Sequence, residues 1–219
     1  MIDFLKARTA MIESQLQTSG VFNARVLEAF LHVPREVFVD KELRQFAYVD
    51  RELKLPGSAK RFMGAPAPVA RLIELAEIEP DDIVLDVACG TGYSTAIIAH
   101  LANSVVAIES DDKLVALANE NLAELDIGNA AVIKAPLAKG APDEAPFDVI
   151  IIQGALSEVP KALFDQLRLG GRLVALIGKG GSATAMTYVK SETGIAAVAS
   201  FNAFLPELEE LAHAPEFAF

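Results

Sequence analysis

Cysteine, tryptophan and histidine are scarce or missing: the 219 residues hold one Cys, no Trp and three His. Cys89 therefore has no disulfide partner within the chain, and so little cysteine suits a reducing compartment, which makes a cytoplasmic location the expectation. With no His near it in sequence, Cys89 reads as a small buried turn residue rather than a nucleophile. His32, His100 and His213 stand at no metal-ligand spacing, so no metal is expected. Long apolar runs are missing too. Stretches such as Val149 to Ile152 fall far short of the roughly 18 residues that suggest a membrane span, and no membrane partner is expected. Asp3 precedes the first basic residue, which is not the charged-then-apolar order of a signal peptide. Positive charge is in deficit, with 19 Lys and Arg against 30 Asp and Glu, a formal net charge of −11. The basic residues are scattered, so a phosphate backbone would be repelled and nucleic acid is excluded as an expected partner.

What is present is a large apolar share, 52% of residues, enough to bury one core with an elaboration. Ile2, Leu5, Thr9, Ile12 and Leu16 recur at three and four, which predicts an amphipathic helix from Ile2 to Gln17. A second helix is expected behind Asn23 as a cap, carrying Val26, Leu27, Phe30 and Leu31 and stopped by Pro34. Leu53 to Ala67, with Pro56, Gly57, Gly64 and Pro66, reads as a loop that could act as lid or acceptor loop. Residues 68–78 form a further helical pattern, closed by a turn at Pro80-Asp81-Asp82.

Beyond that turn, β-branched runs alternate with helical patterns: Ile83 to Val87, 93–102, Val105 to Ile108, 112–125, Ala131 to Ile133, Val149 to Ile152 and 160–167. This rhythm predicts a doubly wound, mostly parallel α/β sheet, with Val149 to Ile152 as a central strand buried on both faces. Three more strands are expected at Arg172 to Ile177, Ala185 to Val189 and Ala196 to Phe201, with turns at Gly170-Gly171 and Gly178 to Gly181. Pro206 onward suggests a short helix and an apolar tail, with Phe217 and Phe219, packed on the chain's own core. The expected division is an N-terminal helical extension with acceptor loop over 1–80 and a cofactor-binding core over 81–219. Nothing in the sequence sets an oligomeric state.

The most informative segment runs from Val84 to Thr95, a strand entering a helix through Ala88, Cys89, Gly90, Thr91 and Gly92. The glycines permit a tight backbone and close approach of a ligand to the helix start. Seventeen residues beyond Gly92, Glu109 ends the next strand, where a carboxylate can take both hydroxyls of a ribose. A dinucleotide fingerprint would want glycine at position 95, which is Thr, and a pyrophosphate would be repelled by Asp86. S-adenosylmethionine (AdoMet) brings an ammonium and a carboxylate of its own and complements this set better. The expected class is therefore a Rossmann-like, AdoMet-dependent methyltransferase.

The chain also resembles the protein-L-isoaspartate O-methyltransferase family over most of its length. The resemblance is carried by Gln15-Leu16, Arg25-Val26-Leu27, Val33-Pro34-Arg35-Glu36-Val37-Phe38-Val39, Ala47-Tyr48-Val49-Asp50 and Pro66 to Arg71. After the glycine turn it continues through Ala145-Pro146-Phe147-Asp148, Gln166-Leu167 and Gly170 to Val174. It implies methyl transfer to the abnormal carboxylate of isoaspartyl residues, the first step of protein repair, with S-adenosyl-L-homocysteine as second product. Such a nucleophile is ionised at neutral pH, so positioning does most of the catalysis and no His-Asp dyad is needed.

Three places depart from the family. Its Thr-Ile-Ser-Gln-Pro loop is Phe62-Met63-Gly64-Ala65-Pro66 here, without either hydroxyl. Its Gly-Asp-Gly after the third core strand is Ala135-Pro136-Leu137, and its Thr-Ala-Ala-Pro type segment after the fourth is Gln153-Gly154-Ala155-Leu156. The candidate cofactor residues are Asp86, Ala88, Gly90, Thr91, Gly92, Glu109, Ser110, Ala135, Pro136 and Leu137. The acceptor-loop candidates are Arg61, Phe62, Met63 and Gly64, with no catalytic role assigned among them. Lys60-Arg61 could draw in a carboxylate or be solvated charge. Two readings stand: an O-methyltransferase acting on a protein, peptide or small carboxylate, or a noncatalytic AdoMet-sensing or scaffold protein.

Overall fold

The computed structural model describes residues 2–58, 60–178 and 182–211, so His213, Phe217, Phe219 and most of the expected turn at Gly178 to Gly181 lie outside the described residues. The first helix, α1 (Phe4–Met11), is capped by Asp3, whose carboxylate accepts from Lys6 N. It continues through a π-helical segment Ile12–Leu16 and a 3₁₀ turn Gln17–Ser19. The predicted apolar face holds only in its second half. Met11, Ile12 and Leu16 are buried, whereas Ile2 and Leu5 are exposed. Arg8 takes the inward place instead, because Tyr48, the carbonyls of Leu31 and His32, and Glu36 together satisfy its donors.

Helix α2 (Ala24–His32) starts at the predicted cap, with Asn23 accepting from Arg25 N and Val26 N. The expected loop over 53–67 contains a two-strand ribbon, β1 (Leu53–Lys54) and β2 (Phe62–Met63). Helix α3 (Pro66–Leu75) begins at Pro66, whose missing N–H costs nothing in the first turn.

The core strands are β3 (Ile83–Val87), β4 (Ser104–Glu109), β5 (Ala130–Lys134), β6 (Phe147–Leu156), β7 (Leu167–Ile177), β8 (Ala183–Ser191) and β9 (Gly194–Ala203). Between them run α4 (Tyr93–Ala99), α5 (Asp112–Glu124) and α6 (Lys161–Asp165). The sheet order is β5-β4-β3-β6-β7-β8-β9, parallel through β7 and antiparallel at β8 and β9. Central β6 is buried at every position but Gln153. Gly170-Gly171, expected as a turn, lies within β7. There the register slips between Phe147↔Leu167 and Val149↔Arg172, and Gly170 adopts φ +79°, so the pair forms an irregularity in a strand.

The helical N-terminal part shares one core with the sheet: Met11, Phe30, Leu72, Ile97, Ile151 and Leu176 belong to a single buried cluster. Among the described residues no helix is long and apolar enough to cross a membrane.

Candidate active site

Chain direction reverses at β3: the path moves out through β4 and β5, then returns to β6 on the other side. In such sheets the crevice beyond the strand ends at this switch point is where ligands bind. Two residues flank it. Asp86 on β3 is fully buried and accepts at Oδ2 from Ser94 Oγ and Thr95 Oγ1, each at 2.7 Å, and at Oδ1 from Gln153 Nε2 at 2.8 Å. Burial pushes its carboxyl above the usual carboxylate range, these three hydrogen bonds pull it back, and the charge on Glu109 pushes it up again.

The turn after β3 places Ala88 at φ +67°, Gly90 at +60° and Gly92 at +91°. A side-chain-bearing residue with positive φ is uncommon, and here Ala88 N and Cys89 N both donate to Ile108 O, at 2.9 and 3.3 Å, which holds the turn against β4. Thr91 Oγ1 donates to Phe38 O at 2.7 Å, tying the turn to the helical part. Burial pushes the Cys89 thiol well above its ordinary value, which disfavours the thiolate a nucleophile needs.

Glu109 closes β4 with a side chain fully buried and fully used. Its Oε2 accepts from Gly90 N at 2.9 Å and from Arg61 Nη2 at 2.5 Å, and its Oε1 accepts from Ser110 N at 2.9 Å. Arg61 comes from the ribbon, where Leu55 N donates to Arg61 O at 3.0 Å and Arg61 N to Ser58 Oγ at 3.1 Å. The sequence placed Arg61 among the acceptor-loop candidates; in the structure its guanidinium pairs with Glu109.

A segment from Leu205 to Leu211 straps the crevice. Ala155 N donates to Pro206 O at 3.0 Å and Leu208 N to Ala155 O at 2.9 Å. Lys60 pairs with Glu209, and Ser110 Oγ donates to Glu210 Oε1 at 2.7 Å. Two of the sequence departures lie directly under this strap. A Cβ on Gly64 would stand 2.5 Å from Leu205 Cδ2, and one on Gly154 would stand 2.6 Å from Leu208 Cγ. Gly64 and Gly154 thus make the room the two leucines occupy. With Leu55, Arg61 and the strap in place, the partly open cavity that remains has a volume of about 30 Å³, room for water.

Of the sequence candidates, Arg61, Phe62, Met63, Gly64, Ala88, Gly90 and Thr91 line this cavity. Asp86, Gly92, Glu109 and Ser110 lie behind its lining, and Ala135, whose N donates to Glu109 O at 3.1 Å, Pro136 and the buried Leu137 do not line it either. Sequence reasoning passed over Ser94 and Thr95 as Asp86 donors, Leu55 as cover, and the strap leucines. Hydroxyls in the first turn of α4 were a visible signal. The sequence marked Pro206 onward as a short helix packed on the core, and a 3₁₀ turn at Glu209–Leu211 stands there, but no pattern marked its place over the crevice, which arises from contacts with residues some 50 to 150 positions earlier.

An acid on each of two adjacent parallel strands, a glycine turn between them and a helix behind define a Rossmann-like methyltransferase site. The family model described as Protein-L-isoaspartate(D-aspartate) O-methyltransferase matches residues 6–206. A relative from Syntrophobacter fumaroxidans, protein-L-isoaspartate O-methyltransferase 1, is 40% identical over 178 residues, covering 81% of this chain and 82% of its own length. The chain belongs to the protein-L-isoaspartate O-methyltransferase family. The fold agrees. A solved protein-L-isoaspartate O-methyltransferase superposes with TM-score 0.80 at 24% identity, over 94% of this chain and 66% of that one. A structure from Plasmodium falciparum, in complex with S-adenosyl-L-homocysteine, gives 0.76 at 23% identity, over 93% of this chain and 98% of its own.

Proposed function

We propose that this chain is an AdoMet-dependent O-methyltransferase that esterifies isoaspartyl carboxylates in proteins or peptides as the first step of their repair. The observation that carries the reading is family membership across residues 6–206, which spans the Asp86, glycine-turn and Glu109 set. The residues present fit the cofactor chemically. Asp86 is a buried carboxylate complementary to an ammonium, and Glu109 faces Gly90 N at 2.9 Å where vicinal hydroxyls can be held. When bound, AdoMet would supply a methyl group activated by a sulfonium for transfer to an acceptor carboxylate, with Asp86 holding its ammonium and Glu109 its ribose hydroxyls. Around that reaction the protein's part is to hold, orient and exclude water, and the Leu55, Leu205 and Leu208 cover supplies an apolar enclosure.

A second reading, an altered carboxylate acceptor, is favoured by Gly64 and Gly154, because strap leucines stand where family side chains would begin. A protein or peptide acceptor and a reducing, cytoplasmic location belong to the proposal and are supported by family membership and the single cysteine. The test is transfer of labelled methyl from AdoMet to an isoaspartyl peptide, with the normal aspartyl peptide as control. Base-labile methyl ester on the isoaspartyl peptide alone is expected. Equal labelling of both, or of neither at high enzyme concentration, would remove the repair assignment.

A further inference from the structure

Arg61 is only 8% exposed, yet it spends one guanidinium nitrogen on Glu109 and, among the described residues, leaves Nε buried with no hydrogen-bond partner. A buried, unspent Arg donor is costly, and it points to an anion that would satisfy it. The side chain also stands between two spaces. It lines the crevice cavity, and with Lys60, Glu207 and Glu209 it lines an open depression of about 190 Å³ at the surface.

Glu109 cannot serve Arg61 and a ribose together. Its Oε2 has two lone-pair sites, taken by Gly90 N–H and Arg61, and its Oε1 is engaged by Ser110 N. Two hydroxyls arriving at Glu109 must therefore displace Arg61. The ribbon backbone need not open for this, since the Leu53↔Met63 pairing and the Leu55 N to Arg61 O bond hold residue 61 while its side chain turns. Displaced, the guanidinium would present Nη2 and the unspent Nε as a planar fork, the geometry that grips a carboxylate with two parallel bonds.

We propose that Arg61 is an exchange residue: it neutralises Glu109 while the cofactor site is empty, and is released by cofactor hydroxyls to grip the acceptor carboxylate. Binding is then ordered, cofactor first, and Arg61 is the positioning group for the acceptor in a loop that lacks the family's hydroxyls. The inference rests on the proposed carboxyl methyltransferase reading.

Calorimetric titration of the full chain with S-adenosyl-L-homocysteine and with an isoaspartyl peptide tests it in the wild type and Arg61→Gln. In the wild type the peptide should bind about tenfold or more tighter once the nucleoside is bound, a coupling of ordinary size. Arg61→Gln should bind the nucleoside about tenfold tighter, having no ion pair to displace, and should lose the gain in peptide affinity. Unchanged nucleoside affinity in the variant, or peptide binding indifferent to the nucleoside in the wild type, overturns the exchange alone. Nucleoside binding by neither protein overturns the methyltransferase reading together with the exchange. Should Arg61→Gln fold poorly, Arg61→Lys carries the test, because an ammonium still neutralises Glu109 but offers no fork. It should keep wild-type nucleoside affinity within about threefold and lose most of the peptide gain. Full retention of that gain in Arg61→Lys overturns the proposal.

Discussion

Asp86 is a carboxylate held in a site that would rather have it neutral, since burial outweighs the hydrogen bonds from Thr95, Ser94 and Gln153. A carboxyl whose folded pKa is raised above its unfolded value near about 3.9 binds more protons when folded, so stability falls as pH rises through that window and stays lower above it. Asp86→Asn should therefore melt higher than the wild type at neutral pH, with the difference vanishing toward about pH 4, while losing nucleoside affinity. Thermal unfolding across that range checks it; a variant less stable than the wild type at neutral pH would contradict it. Glu109 has an ion-pair partner instead, Arg61. Removing it in Glu109→Ala strands Arg61 as a buried, unpaired cation and should cost about 3–5 kcal/mol by denaturant unfolding.

At the scale of elements, the strap is held chiefly by its leucines. The Lys60–Glu209 pair is exposed and adds little, whereas Leu205 and Leu208 are buried in places opened by Gly64 and Gly154. Gly64→Ser places a hydroxyl in the loop but forces Leu205 and Val69 aside, at roughly 1–3 kcal/mol. Combining it with Leu205→Ala should cost less than the sum of the two changes, and strict additivity in a double-mutant cycle would exclude the contact. Another element contact is titratable: His32 ends α2 and His100 caps α4, with ring centroids 5.9 Å apart. Burial and the neighbouring His32 lower the His100 pKa from 6.5. A base with a lowered folded pKa contributes stability above its unfolded value that is lost as pH falls through the folded one. The wild type should thus lose stability below about pH 6.5, and His100→Gln should flatten that limb of the melting profile.

For the whole molecule, the net charge of −11 meets the mouth of the crevice at Glu207, Glu209 and Glu210. An acidic surface around a site that accepts a carboxylate selects through the residues flanking it. Isoaspartyl peptides with neighbouring Lys should show a lower KM than those with neighbouring Glu, with kcat similar. The ratio should shrink as salt rises from about 0.01 to 1 M, because the Debye length falls from about 30 to 3 Å. A ratio insensitive to salt would assign the preference to local contacts.

The sequence alone determined the sheet and its acids, because both are written in short-range pattern. Apolar runs marked β3 to β6, Asn23 marked the α2 cap, and Asp86 and Glu109 were expected on the two adjacent strands that carry them. Local pattern misplaced the α1 face, since Arg8 is buried only by partners about 23 to 40 residues away. Only the tertiary structure decided what covers the site. Arg61 reaches Glu109 across 48 residues and Lys60 reaches Glu209 across 149, pairings set by the order of strands and not by periodicity. The glycines at 64 and 154, which read as losses in the sequence, acquire their meaning from Leu205 and Leu208, because close packing gives a missing side chain a use only when another atom fills its volume.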